Sequence, residues 1–156
     1  MCSSDLHLHP RATVHVHGED APGLASLDGM MAIYGMEGPT AAGFRDAVVR
    51  DFHWVARPDA LALRDGDVVE LGGGVRIRTV HAPGHTRGHC VFAIEPDDVL
   101  YLGDIELTSF GPYYGDAWSS LEDFERSIAL VRGIEARRYR SEEHTSELQS
   151  LAYLVC

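Results

Sequence analysis
Three cysteines in 156 residues, at positions 2, 90 and 156, are too few and too scattered for a disulfide framework. No apolar run approaches the roughly 20 residues that a membrane-spanning helix needs, and no charged-then-apolar secretory leader is present, so a cytoplasmic protein with no membrane partner is expected. Basic charge is scarce: 13 Lys and Arg stand against 24 Asp and Glu, a net −11 with histidine neutral. Binding to phosphate backbones needs a basic face, so this charge argues against nucleic acid as the main partner. There is no Gly-x-Ser-x-Gly elbow for a serine nucleophile, and Cys90 lies inside an apolar run where a small thiol packs rather than attacks. The glycines at 72–74 lack the Lys and Ser or Thr of a phosphate loop and open a strand, not a helix. The hydrophobic content of 45% is enough for one soluble globular domain.

Against these absences stands one dense stretch, His81-Ala82-Pro83-Gly84-His85-Thr86-Arg87-Gly88-His89. Histidines four apart would line one helix face, but Pro83-Gly84 breaks any helix and makes the run a loop. Val75 to Val80 alternates like a strand before it, and Cys90 to Ile94 reads as a strand buried on both faces after it. Pro96-Asp97 can turn the chain into Val99-Leu100-Tyr101-Leu102-Gly103-Asp104. With those two residues as the hairpin loop, Glu95 faces Asp98, Cys90 faces Gly103 and His89 faces Asp104. The register thus sets a carboxylate beside the histidine loop, and imidazole with carboxylate suits a borderline-soft metal ion such as Zn²⁺.

The earlier part of the chain reads as support. Thr13 to Val16 alternates like a strand. Leu24, Leu27, Met31 and Tyr34, then Phe44, Val48, Phe52 and Val55, recur at helical spacing on either side of Gly35 and predict two helices covering one sheet face, with His53 packed or half exposed on the second. Short strands follow at Ala60 to Leu63 and Val68 to Leu71, with Asp65-Gly66 and the triple glycine as hairpin turns. Ser119 with Glu122 forms a capping-box signature for a last helix, whose Leu121, Phe124, Ile128 and Val131 share one face. The aromatic, glycine-rich segment containing Tyr113, Tyr114 and Trp118 is equally suited to walling a pocket or to tucking onto the sheet.

The histidine loop Pro83-Gly84-His85-Thr86-Arg87-Gly88-His89, followed by an apolar strand ending in Gly103-Asp104, resembles the metallo-β-lactamase superfamily of metal-dependent hydrolases. The run Leu63-Arg64-Asp65-Gly66-Asp67-Val68-Val69-Glu70-Leu71-Gly72-Gly73 resembles a hairpin that precedes this motif in the family, and the likeness extends from about Thr13 to Ile134. It implies an α/β (α+β) fold: a partial αββα sandwich of mostly antiparallel strands with flanking helices. By position His85 would bind the first metal and Asp104 would bridge two. The implied cofactor is a pair of zinc ions in the intact parent, with iron or manganese also compatible. The implied substrate is a small molecule carrying an ester, thioester, lactam or phosphoester, hydrolysed by metal-activated water. Thr86 and His89 would orient the ligands, and for His89 a purely structural role stands beside that one.

The family's first metal motif, His-x-His-x-Asp-His, has only a near miss in His15-Val16-His17-Gly18-Glu19-Asp20. Either this is the strand that follows the motif, or it is a degenerate ligand set with His15 and His17 as ligands. His7-Leu8-His9 has the spacing but no acid nearby. Arg140 to Ser150 resembles a reading frame of a DNA-sequencing adapter, and Met1 to Leu6 resembles the opposite strand. Residues 1–6 and 140–156 are therefore expected to be non-native tails around a truncated domain at 7–139, with His144 near the family's last histidine only by accident of translation. The fragment as written is expected to bind metal weakly and not to turn over. A non-catalytic metal-binding or interaction protein of the same fold, or an inactive translation product, are the rival readings. Oligomeric state is not legible.

Overall fold
The computed structural model describes residues 11–105 and 114–141. The chain runs β1 (His15–His17), α1 (Ala21–Ala25), α2 (Leu27–Tyr34), α3 (Gly38–Arg50), β2 (Leu61–Leu63), β3 (Val68–Gly72), β4 (Val75–His81), β5 (Cys90–Glu95), β6 (Val99–Tyr101), α4 (Leu121–Arg132) and β7 (Arg138–Arg140). Five strands form a sheet in the order β3-β4-β5-β6-β7, and β1 pairs with β2 in a second. The junctions from β3 to β6 are antiparallel, while β6–β7 and β1–β2 are parallel. This is the expected mixed class, dominated by antiparallel pairing and flanked by helices. Among the described residues no helix is long and apolar enough to cross a membrane.

The β5–β6 ladder matches Phe92 with Tyr101, Ala93 with Leu100 and Ile94 with Val99, the register that a Pro96-Asp97 turn dictates. Because side chains alternate, Val91, Ala93 and Leu100 share one face and Cys90, Phe92 and Tyr101 the other. α4 covers the first face: Phe124 and Val131 pack with Val91, Leu100, Leu102 and Ile105, all at most 2% exposed. Burying one such side chain contributes about 1.5–3 kcal/mol. The second face is less well covered. From Phe92 onward β5 is only half-buried, so the expectation of a strand buried on both faces holds for Cys90 and Val91 alone.

The helical region departs from expectation in three ways. Ser26 divides the first predicted helix in two, its hydroxyl accepting from Gly29 N at 3.0 Å to cap α2. α3 stops at Arg50, so Phe52 and Val55 lie beyond it, 49% and 45% exposed, and exposed His53 turns to φ 51 instead of continuing the helix. Third, α2 and α3 pack on each other around Met30, Met31, Val48 and Trp54 rather than joining the core of the five-stranded sheet. The cause is the turn after α3: Trp54 N bonds back to Val48 O at 3.1 Å, and the indole fills the space between the two helices.

Two local signals are also redirected. Asp65-Gly66 makes a tight turn, with Arg64 N donating to Asp67 Oδ2 at 2.8 Å, but it links the two sheets instead of closing a hairpin. α4 is capped by Ser120, whose hydroxyl accepts from Asp123 N, one residue later than the capping-box reading placed it. Residues 1–6 and 142–156 of the expected tails lie outside the described residues, as do His7, His9, Tyr113 and His144. Arg140 is described: it ends β7, and its carbonyl accepts from Leu102 N at 2.6 Å.

Candidate metal centre
The loop between β4 and β5 is closed by Ala82 N donating to His89 O at 2.9 Å. Its first half is pinned by the last helix and its approach: Ser127 Oγ donates to Pro83 O, Ser120 N to Gly84 O and Ser119 Oγ to His85 O, at 2.7, 2.9 and 2.7 Å. The Ser119 hydroxyl also accepts from Asp116 N at 3.2 Å, so it faces the loop and not the first turn of α4. The second half is held from the opposite direction by Asp20, 3% exposed. Its carboxylate accepts from the Thr86 hydroxyl and from Gly88 N, the latter at 2.8 Å. His85 sits between these anchors, its backbone fixed on both sides.

Asp104 closes the neighbouring strand after Gly103, whose φ of +56 favours glycine and where a Cβ would lie 2.7 Å from His89 Nε2. His85 Nε2 and Asp104 Oδ1 are 3.6 Å apart and both partly buried. Metal–ligand distances of about 2.0–2.2 Å place two donors of one ion at most about 4.3 Å apart, so this pair spans one edge of a coordination sphere. Among the described residues no group of three or more His, Cys, Asp or Glu side chains is arranged to hold a metal ion. The residues present therefore fit a metal in donor chemistry and spacing but supply two donors.

His89 is spent elsewhere. Ala82 O can only accept, so Nδ1 carries the proton in their 2.8 Å bond, and the bare Nε2 accepts from Asp104 N at 3.1 Å. Burial, foremost, pushes its pKa down, which keeps the ring neutral, and its 3.7 Å approach to Asp104 Oδ2 is then no ion pair. The ring ties Asp104 to the base of the histidine loop.

A cleft of ≈ 310 Å³ opens at the pair, lined also by His15, His17, Leu63, Phe92 and Tyr101. His15 and His17 line this cleft but complete no three-donor group with His85 and Asp104. His17 instead stacks on His81, ring centroids 4.1 Å apart and 9° from parallel, and its Nδ1 accepts from Glu19 N at 3.4 Å. Cys90 is a buried thiol that donates to Gly88 O, with burial pushing its pKa up to about 12, so it is no thiolate at neutral pH. Trp118 lies under the Arg87 guanidinium at 4.5 Å and Tyr114 tilts against Phe124. Asp20 is the residue that sequence reasoning missed as an anchor. Nothing local marks it, since its partners lie 66 and 68 positions away.

A helix-backed sheet of mostly antiparallel strands, with a histidine on a proline-glycine bend facing an aspartate beyond the adjoining strand, defines the class as mixed α/β. The sequence model of the metallo-beta-lactamase superfamily matches residues 7–154, and the chain belongs to that superfamily. It is 34% identical over 82 residues to a protein named probable polyketide biosynthesis zinc-dependent hydrolase from Bacillus velezensis, covering 53% of this chain and 35% of that one. An acyl-coenzyme A thioesterase of Homo sapiens is 34% identical over 94 residues, covering 54% and 32%. An atrochrysone carboxyl ACP thioesterase of Paecilomyces divaricatus is 32% identical over 75 residues, covering 48% and 21%. A solved metallo-beta-lactamase family protein from Thermus thermophilus superposes with a TM-score of 0.62 at 29% identity, covering 83% of this chain and 46% of that one. The chain thus spans about half of that solved structure. The matched stretches span about a third or less of the curated relatives. Another superposed structure, at 16% identity and a TM-score of 0.59, is in a di-iron-bound form. The superfamily is metal-dependent, and these relatives are hydrolases and thioesterases.

Proposed function
We propose that the chain carries part of the active centre of a metal-dependent hydrolase whose substrates are small-molecule thioesters. One observation carries the reading: His85 Nε2 and Asp104 Oδ1 stand 3.6 Å apart at a cleft with apolar walls. The thioester class is favoured over ester, lactam and phosphoester by the relatives named as thioesterases of acyl carrier protein and coenzyme A. His85 would hold the first ion and Asp104 would bridge two, zinc being the expected metal, with iron or manganese able to replace it. A metal bound there supplies hydroxide near neutral pH and polarises the carbonyl. The protein's own side chains fix this donor pair: the His89 ring holds Asp104 by its backbone N–H, and Phe92, Tyr101 and Leu63 give an apolar wall for an acyl chain.

Titration calorimetry with Zn²⁺ and an acyl-coenzyme A assay following thiol release test the reading. With two donors among the described residues, the 156-residue chain is expected to bind Zn²⁺ weakly, to lose that binding in Asp104→Ala, and to show no turnover above a zinc blank. Turnover that Asp104→Ala removes would overturn the expectation of an inactive chain and would make ligands of His15 and His17. Zinc binding indifferent to both His85→Ala and Asp104→Ala would overturn the proposal. The absence of a three-donor group among the described residues favours a second reading, a metal-binding or interaction protein of the same fold without catalysis. The turnover assay, repeated with additional flanking sequence, separates the two.

A further inference from the structure
Asp20 occupies the N-cap position of α1, where a carboxylate ordinarily accepts from the helix's own first N–H groups. Its side chain makes no such bond. Both oxygens turn instead to the histidine loop, one to the Thr86 hydroxyl and one to Gly88 N. The fit is close, because a Cβ on Gly88 would lie 2.7 Å from Asp20 Cγ and 2.9 Å from Asp20 N. A carboxylate only 3% exposed is costly to bury and tolerated only when hydrogen-bonded. Its two partners flank Arg87 immediately after His85, while Ser119, Ser120 and Ser127 already hold the carbonyls of residues 83–85. Without Asp20 the second half of the loop would keep the His81 ring on Arg87 O and the Cys90 thiol on Gly88 O, but would lose its hold on the Thr86 hydroxyl and the Gly88 N–H.

We infer that Asp20 is a positioning residue: its buried carboxylate, held to Thr86 and Gly88, sets the His85 loop in the conformation that aims the imidazole at Asp104. The inference rests on the metal-centre reading for its consequence, though not for its geometry. It assigns Asp20 the role of clamp for the histidine loop.

Two readouts test it on the whole chain. The first is amide hydrogen exchange of the peptide spanning residues 82–90 without metal; the second is Zn²⁺ affinity by calorimetry. Asp20→Ala is expected to speed exchange in this loop by about tenfold or more, since charge-assisted bonds are lost. It should also weaken Zn²⁺ binding by about 10- to 100-fold, the usual effect of removing groups that orient ligands. Asp20→Asn keeps an acceptor for Gly88 N–H and an amide that Thr86 can accept from, and should recover most of both. Should Asp20→Ala fail to fold, Thr86→Val removes one donor and should still speed loop exchange. Parent-like exchange in Asp20→Ala or Thr86→Val, or Asp20→Asn as loose as Asp20→Ala, overturns the inference. If the parent binds no Zn²⁺, the proposed function fails, while the exchange data still decide the role of Asp20.

Discussion
Gly84 takes φ +138, and its backbone comes so near α4 that a Cβ would lie 2.4 Å from Phe124 Cα. No side chain fits there, and L-residues rarely adopt that conformation. Gly84→Ala should therefore destabilise the fold by about 2 kcal/mol or more, read from urea unfolding midpoints, because neither the helix backbone nor the loop can yield cheaply. A parent-like midpoint would mean that the loop can leave α4 at little cost. At this scale the sequence named the residues and one meeting, that of the histidine loop with Asp104 across the Pro96-Asp97 turn, and no other partner. His85 and Asp104 were legible because each closes a segment with its own turn signal. Asp20 and Ser119 were not, since each makes a bond to the histidine loop that exists only once the loop is docked.

Among the elements, α4 carries the sheet. Its inward face holds Phe124 at 2% and Val131 at 0% exposure, while Leu121 on the outward side is 50% exposed. Phe124→Ala should cost about 3–5 kcal/mol, the usual loss for an emptied aromatic site. Leu121→Ala should stay within about 0.5 kcal/mol, since it leaves no cavity. Chemical denaturation of both variants checks the contrast, and equal losses would show that Leu121 packs. The periodicity of this helix read correctly at Phe124, Ile128 and Val131 and wrongly at Leu121. For α3 the same period ran past its true end, because a three-four repeat continues on paper through Phe52 and Val55 even where the backbone has turned back to seat Trp54.

For the molecule as a whole, the stacked rings of His17 and His81 join the two sheets, β1 to the end of β4. His81 donates its ring N–H to Arg87 O at 2.8 Å, and its backbone N donates to Asp65 Oδ1 at 2.9 Å. Partial burial, then repulsion from His81, holds the His17 pKa below its usual value, while Asp20, Glu19 and Asp65 oppose that shift without reversing it. The folded chain then binds fewer protons at His17 than the unfolded chain does, so stability rises with pH through the window below about 6.5 and levels off above it. The thermal midpoint should fall as pH drops from about 7 to about 5, and His17→Phe should flatten this slope. An identical slope in the variant would remove the stack from the pH response.

The chain's own order of residues determined the β5–β6 register and hence the meeting of the histidine loop with Asp104. A two-residue turn and a period of two leave no other pairing once Pro96-Asp97 is the bend. Only the tertiary structure decided that α2 and α3 form their own core, that His89 is consumed by Ala82 and Asp104, and that Asp20 clamps a loop 66 positions on. The physical reason is range. Turn chemistry and periodicity act between neighbours, whereas a buried polar group takes whichever partner the packed layers bring to it, however distant along the chain.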